Sequence, residues 1–217
     1  MKEFFQGMYQ KKHFKKRLVV VFLAVIIMGF ALSWLVRVDL GIDPYTSMNL
    51  AISDKLGISL GNWQALLNTI MFLFVIAFGR EHIGFGTLAN MFVVGYALDF
   101  FTWLWDMLLP ADFFDSMIVR ILVLIPALAV FVVSAAVYMN VELGTAPYDA
   151  IPIMISKRLK KIPFSIIRMT FDTSVIILGL FFGAKIGVVT ILMAFTLGPV
   201  IAWMGERLNS FLGIEYE

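Results

Sequence analysis

The chain has 217 residues, of which 61% are hydrophobic and 15% are charged, and its formal net charge is +2. A soluble core of this size does not need so much apolar surface, so the composition indicates an integral membrane protein. The chain contains no cysteine, which excludes disulfides, thiol nucleophiles and thiolate metal sites.

The N-terminal segment, residues 1–17, carries six lysines and arginines against one acid, Glu3. It precedes nineteen uncharged residues, 18–36, close to the roughly 20 that a helix needs to cross a bilayer. No signal-peptide cleavage site follows this run, so we expect the span to be retained. Basic residues flank membrane helices on the cytoplasmic side, so the segment predicts a cytoplasmic tail rather than a nucleic-acid-binding arm.

Six long apolar runs predict membrane-spanning helices, and two shorter segments interrupt the pattern. The long runs cover residues 18–36, 63–78, 83–109, 118–139, 164–182 and 186–204. The short segments, 44–56 and 147–159, both begin with Pro-Tyr and are too short and too polar for ordinary spans. The predicted fold class is an all-α membrane protein with six long transmembrane helices and two short, proline-started half-helices.

The short segments belong to an internal duplication. Residues 38–56 and 141–159 align without gaps and are identical at eight of nineteen positions, including a shared Leu-Gly-x-x-Pro-Tyr motif. A shared Ile-Gly-x-x-Thr motif follows in both halves. We therefore predict one membrane domain with a first repeat, 18–109, a second repeat, 118–204, and a C-terminal tail, 205–217.

The relative orientation of the repeats depends on whether the short segments cross the membrane. Residues 99–116 hold four aspartates and no base, whereas residues 157–161 hold four bases. If the short segments do not cross, the repeats are inverted and nearly every base lies in the cytoplasm. If they cross, the repeats are parallel and Arg80 moves outside. We favour inverted repeats.

In the inverted arrangement, each short segment is a half-helix that begins near the bilayer middle. Pro44 and Pro147 suit the first helical turn, and Asp43 suits the N-cap position. Both half-helices would direct their positive dipole ends into the protein interior. The alternative is a pair of amphipathic helices on the membrane surface, with Tyr45 and Tyr148 as interface residues.

Polar side chains at helical spacing lie within two of the long spans. Arg168 and Asp172 are one turn apart, and Gln64 and Asn68 are their partners in the first repeat. Since a charge inside a membrane costs about 2.5–3.5 kcal/mol on insertion scales, this shared polar face predicts a functional site. Alternatively, Arg168 reaches to the cytoplasmic edge and Asp172 only neutralises it.

Residues of the half-helices complete the predicted site. They are Asp43, Pro44, Tyr45, Ser47, Asn49, Pro147, Tyr148 and Asp149. Capping would also explain Asp43 and Asp149, and helix-to-helix hydrogen bonds would also explain Ser47 and Asn49. The dipole ends and Arg168 predict a small polar or anionic solute, and Asp172 would permit proton coupling.

Three first-repeat motifs together resemble the YczE/YyaS/YitT family of bacterial integral membrane proteins, with YczE as the closest branch. They are LGIDPYT at 40–46, GISLG at 57–61 and GFGTLAN at 84–90. The likeness covers nearly the whole chain beyond the basic tail. It implies a multi-pass protein of the bacterial plasma (inner) membrane and does not imply a substrate.

These features predict a small-solute or ion transporter or channel with a site near the bilayer midplane. The second hypothesis is a non-transporting scaffold or accessory subunit, which would hold a cytoplasmic enzyme or assembly through residues 157–161 and the basic tail. Hydrolase, metalloprotease and nucleotide-binding motifs are absent from the sequence, so we expect no enzymatic activity, cofactor or metal. The expected partners are the lipid bilayer, the solute, and a second copy or another subunit, but no nucleic acid.

Overall fold

A computed structural model describes residues 13–212, so most of the basic tail and residues 213–217 lie outside the described part. The described residues form eight α-helices, a short 3-10 helix at Arg80–His82, and no strand. The helices are α1 Phe14–Val38, α2 Pro44–Leu56, α3 Leu60–Phe78, α4 Phe85–Leu108, α5 Met117–Asn140, α6 Pro147–Arg158, α7 Phe164–Phe181 and α8 Val188–Leu212.

Helices α1, α3, α4, α5 and α7 are long and apolar enough to span a membrane. The described apolar part of α8, Val188–Ile201, is shorter than a candidate membrane span, so the sixth span stays a prediction. Large apolar side chains face away from the protein, among them Leu73, Ile118 and Phe181 at 61%, 72% and 77% exposure. Such a surface suits lipid and not water, and the chain is a helical membrane protein.

The three long helices of the first repeat alternate in direction. Helices α1 and α4 are parallel, because the Phe14 and Phe85 rings meet near their starts and Arg37 Nη2 donates to the Thr102 carbonyl near their ends. Helix α3 runs opposite to α4, because the Gly61 N–H donates to Asp99 Oδ2 at 2.7 Å. We call the end of the bundle where α1 ends and α3 begins end A, and the opposite end, where α3 ends, end B.

Helix α2 begins in the middle of the bundle and runs to end A. The Tyr45 hydroxyl donates to Asn68 Oδ1 at 2.8 Å, and Asn68 is the ninth residue of the 19-residue α3. Trp63, near the start of α3, donates through Nε1 to Asn49 Oδ1 at 2.7 Å. The chain thus leaves α1 at end A, reaches the middle of the bundle at Pro44, and returns to end A along α2.

Helix α6 begins beside the start of α2 and runs to end B. The Tyr148 hydroxyl donates to Asp172 Oδ1 at 2.5 Å, and Asp172 is the ninth residue of the 18-residue α7. Lys157, near the end of α6, donates to Glu81 at 3.1 Å, just beyond the end of α3. The two short helices therefore begin near one point and leave it towards opposite ends.

Both short helices pack inside the protein. Helix α2 buries eight of its thirteen residues, and α2 packs on α7 while α6 packs on α3, so each contacts a helix of the other repeat. Met48 and Ile52 of α2 form one apolar cluster with Val175 of α7. This burial argues against amphipathic helices on the membrane surface, which would expose one face to water.

The two repeats dock on each other through their shared glycine motifs. The Leu40 carbonyl accepts from the Val189 N–H at 3.2 Å, and the equivalent Leu143 carbonyl accepts from the Gly86 N–H at 2.7 Å. A Cβ atom added at Gly187 would lie 2.1 Å from the Leu40 oxygen, so this approach requires glycine. The Leu-Gly motif of each repeat therefore contacts the Ile-Gly motif of the other repeat, so the protein forms this contact twice.

The first helices of the two repeats run in opposite directions. Arg17, near the start of α1, donates through Nη1 to the Val141 carbonyl, just after the end of α5, at 2.8 Å. At end A, the ring of Trp34 meets the ring of Phe114, which precedes α5, at 6.0 Å between centroids. Helices α1 and α5 are therefore antiparallel.

Candidate functional site

A cavity of about 330 Å³ lies where the two short helices begin. Its lining includes six of the predicted residues: Asp43, Tyr45, Gln64, Tyr148, Asp149 and Arg168. Apolar side chains such as Leu32, Phe131 and Leu197 form the rest of its wall. The volume falls within the roughly 300–1,000 Å³ that is typical of small-molecule sites.

Asp43 caps helix α2 and lines the cavity. Its Oδ1 atom accepts from the Thr46 N–H at 2.9 Å, and Pro44 occupies the first helical position. Asp43 is only 7% exposed, and its second oxygen, Oδ2, has no hydrogen-bond partner among the described residues. One oxygen of this buried carboxylate thus accepts a hydrogen bond from the helix, and the other has no partner among the described residues.

Helix α6 begins differently, because its N-cap residue, Ala146, has no side chain that could cap. Pro147 again occupies the first helical turn, and Asp149 lies in that turn, where a negative charge is favourable. Asp149 Oδ1 also accepts from Arg168 Nη1 at 2.6 Å. Each short helix therefore has a carboxylate of the protein at its positive end.

Arg168 joins two carboxylates in the interior. Its Nη1 atom contacts Asp149 at 2.6 Å, and its Nε atom contacts Asp172 Oδ2 at 3.0 Å. The guanidinium group also lies 5.2 Å from the centre of the Tyr148 ring. The side chains of Arg168 and Asp172 are 14% and 3% exposed, so this arginine is held inside the protein rather than at a surface edge.

The two repeats build the same hydrogen bond with different chemistry. Tyr45 donates to the amide of Asn68, and Tyr148 donates to the carboxylate of Asp172. At three aligned positions the first repeat has uncharged residues where the second has charged ones. The first repeat has Thr46, Gln64 and Asn68, and the second has Asp149, Arg168 and Asp172. The hydrogen bond is equivalent in the two repeats, but the electrostatics are not.

Asn68 and Asp172 do not line the cavity themselves. Each accepts a hydrogen bond from the hydroxyl of a tyrosine that does. The Asn68 amide nitrogen donates to the Met91 carbonyl at 3.3 Å, so Asn68 also joins α3 to α4. Both residues are nearly fully buried, at 3% and 2% exposure. They hold the tyrosine hydroxyls in place.

Ser47 and Asn49, which were also predicted to line the path, lie away from this cavity. Ser47 Oγ donates to the Lys185 carbonyl at 3.1 Å and lines a second cavity. Asn49 donates to the Tyr45 carbonyl at 2.7 Å and accepts from Trp63. Of these contacts, only the bond between Trp63 and Asn49 joins two helices.

The second cavity, of about 510 Å³, lies at end A. The first turn of α2 separates the two cavities, because Asp43 and Thr46 line the first while Ile42 and Ser47 line the second. The lining of the second cavity also includes Lys185, which is exposed and pairs with Asp39 at 3.2 Å. The first cavity instead extends towards end B, where Asn140 and Phe164 line it.

Four polar residues line the first cavity that the sequence did not suggest as site residues: Thr46, Asn90, Tyr138 and Asn140. The repeat alignment could have found Thr46, since it is the partner of Asp149. Asn90 ends the GFGTLAN motif, which carried the family resemblance and no site prediction. Tyr138 and Asn140 end an apolar run without a motif, and the Tyr138 hydroxyl donates to the Gly86 carbonyl at 3.2 Å.

Comparison with known proteins gives a family and relatives. Residues 15–206 match the profile described as "Family of unknown function (DUF6198)". An uncharacterized protein of Haemophilus influenzae is 24% identical over 202 residues, covering 93% of this chain and 89% of that protein. Two Bacillus subtilis proteins are similar too: the uncharacterized membrane protein YczE, 24% identical over 88% of this chain and 86% of its own, and YyaS, 22% identical over 78% and 83%.

These relatives confirm the resemblance to YczE and YyaS that the first-repeat motifs carry. No solved structure matches the chain.

Proposed function

The chain belongs to the DUF6198 family, whose function is unknown, and we propose from its site that it transports a small polar solute or ion across the membrane. The observation that carries this proposal is the cavity where the two short helices begin, with Arg168, Asp149 and Asp43 on its wall. Charged side chains inside a membrane protein are costly and mark solute or ion pathways by default. Irregular backbone at that depth suits a site that is buried in protein or lines a water-filled cavity.

The proposed architecture is a pair of inverted repeats. Three observations support it: the long helices of the first repeat alternate in direction, α1 and α5 are antiparallel, and the short helices leave the middle towards opposite ends. We place end B in the cytoplasm and end A outside, because the basic tail precedes α1 and the bases of 157–161 lie at end B. The membrane would be the plasma (inner) membrane of a bacterium.

The two cavities fit transport by alternating access. They lie on opposite sides of the first turn of α2, one towards end A and one towards end B. A movement of the repeats against each other could connect the Asp43 carboxylate first to one side and then to the other, as in transporters built from repeats. Asp172, one hydrogen bond behind the cavity, is a candidate for proton coupling.

The test is solute flux in proteoliposomes, measured by solid-supported-membrane currents for charged solutes and by osmotic swelling for uncharged ones. The panel comprises alkali chlorides, alkylammonium chlorides, sodium carboxylates and polyols. Asp172→Asn is the key variant, since Asn68 shows that asparagine fits this geometry, and exposed Asp115→Asn is the matched control. We expect flux of at least one of these solute classes. This flux should be at least tenfold lower in Asp172→Asn and unchanged in Asp115→Asn. Absence of flux with folded protein would contradict the proposal.

A scaffold or accessory role is the second candidate, and an exposed basic surface at end B favours it. Arg158, Lys160 and Lys161 are exposed after α6, where acidic partners could reach them. A scaffold role predicts that neutralising these three residues abolishes the cellular phenotype while Asp172→Asn is silent. Transport predicts the reverse.

A further inference from the structure

The charges around the first cavity do not balance. Among the described residues around it, Asp43, Asp149 and Asp172 are three acids against one base, Arg168, which is shared by two of them. The two helix N-termini add about half a positive charge each. These four side chains and the two helix N-termini therefore carry about one net negative charge together when the side chains are ionised.

Both features that predicted an anionic solute are already occupied by the protein. Arg168 contacts Asp149 and Asp172, so its positive charge is neutralised. The start of α2 has Asp43, and the start of α6 has Asp149. An anion would have to compete with these carboxylates, whereas a cation would complete the charge balance.

Asp43 provides the atom that such a cation would contact. The residue is 7% exposed and lines the cavity, and its Oδ2 oxygen has no hydrogen-bond partner in the described part of the chain. A buried carboxylate oxygen without a partner costs free energy comparable to a lost hydrogen bond or more. A ligand with an ammonium N–H group would satisfy it with a charge-assisted hydrogen bond.

The shape and the walls of the cavity favour an organic cation over a metal ion. The volume of about 330 Å³ suits a small molecule, and the described residues contain no group of three or more His, Cys, Asp or Glu that could hold a metal. The wall combines the adjacent rings of Tyr45 and Tyr148 with the apolar side chains of Leu32 and Phe131. Aromatic faces attract cations, as the guanidinium group over Tyr148 illustrates.

We propose that the cavity binds a small organic ammonium cation, with its positive group on the free Asp43 oxygen and its apolar part against the α1 and α5 side chains. This proposal rests on the proposed transport function and specifies the class of substrate that is transported. It departs from the small polar or anionic solute that the sequence predicted.

The experiment measures thermal stabilisation of the purified protein in detergent. The probes are two matched series at constant ionic strength, methyl- to hexylammonium chloride and sodium acetate to heptanoate, titrated to obtain an apparent Kd. Asp43→Asn is the test variant, because asparagine is as good an N-cap as aspartate and keeps the acceptor for Thr46. Asp115→Asn, an exposed carboxylate that lines neither of the two cavities, is the matched control.

We expect at least one ammonium probe to stabilise the wild type and no carboxylate to do so. Asp43→Asn should weaken ammonium binding by about tenfold to a hundredfold, the loss expected for one hydrogen bond to a charged group, while Asp115→Asn leaves it unchanged. Stabilisation by carboxylates alone, by neither series, or equally in Asp43→Asn would overturn the proposal.

The outcome separates this proposal from transport itself. Ammonium binding without flux in proteoliposomes would contradict transport and leave the cation site intact. Carboxylate flux that persists in Asp43→Asn would contradict the cation site and leave transport intact.

Discussion

The rings of Tyr45 and Tyr148 contact each other, with their centres 4.4 Å apart and their planes tilted by 34°. These tyrosines are equivalent residues of a duplicated motif, so a motif that occurs twice in the sequence meets its own copy in the structure. Each tyrosine hydroxyl binds the helix that follows in its own repeat, at Asn68 or Asp172. The pair therefore connects both half-helices and both long polar helices at one point.

The two tyrosine hydroxyls should differ in their contribution to stability. Tyr148→Phe removes a hydrogen bond to a buried carboxylate and should lower the free energy of unfolding by about 1.5–3 kcal/mol. Tyr45→Phe removes a bond to an amide and should cost about 1 kcal/mol. Thermal unfolding of both variants in detergent measures the difference. A larger loss in Tyr45→Phe would contradict the asymmetry between the repeats.

Arg168 should be essential only while its carboxylate partners are present. Arg168→Gln leaves Asp149 and Asp172 buried without a counter-charge and should cost about 3–5 kcal/mol. The triple variant Asp149→Thr/Arg168→Gln/Asp172→Asn copies the first repeat, so we expect it to recover most of this stability.

Thermal unfolding measures the recovery, and flux measures the function of the same proteins. The triple variant should fold but not transport. If it is no more stable than Arg168→Gln, the charged group is not an internally balanced unit.

The glycines at the contact between the repeats should tolerate no side chain. Gly144 has φ +102°, and a Cβ there would lie 2.4 Å from the Gly84 nitrogen, so Gly144→Ala should cost about 3 kcal/mol or more. Gly57→Ala is the control, since Gly57 has φ +66° but no atom near an added Cβ, and it should cost about 1 kcal/mol. Size-exclusion chromatography after heating compares the two. Equal losses would contradict the close docking.

Stability should fall in mild acid because of His82. Burial, and next the positive charge of Lys157 Nζ at 3.1 Å, lower the pKa of His82 below its ordinary value. The folded protein therefore keeps His82 neutral while the unfolded chain takes up a proton below about pH 6.5, so the free energy of unfolding decreases as the pH falls through this range.

Unfolding midpoints at pH 8 and pH 5.5 measure this decrease. His82→Gln should reduce it, and the carbonyl of residue 82, which accepts from the Thr145 N–H, is unchanged by the substitution. A decrease of the same size in His82→Gln would exclude this histidine as its origin.

Sequence patterns located the short helices and six of the residues that line the first cavity. Pro44 and Pro147 begin α2 and α6 as expected, because proline fixes the first-turn geometry locally. The polar pair Arg168 and Asp172 was recognised because helical spacing puts both on one face. These are local properties, which a sequence displays directly.

Contacts between the repeats were not predictable in the same way. The contact of Arg168 with Asp149 joins residues of different helices, and its geometry depends on where α6 begins inside the bundle. The docking of Leu40 on Gly187 likewise needs both repeats to be assembled. The expected polar or anionic solute followed from the helix dipole ends and Arg168, since the sequence pairs Arg168 with Asp172 but does not show its contact with Asp149.

The most direct test of the account is the accessibility of single cysteines in intact cells, since the chain has no native cysteine. The sites are Asp54, Glu81, Asp112 and Lys160, which are all exposed, and the reagent is a membrane-impermeant maleimide. Half-helices that enter from opposite faces predict labelling at 54 and 112, with 81 and 160 labelled only after permeabilisation. Labelling at 81 but not at 54 or 112 would mean that the short helices cross the membrane, and would contradict the proposed arrangement.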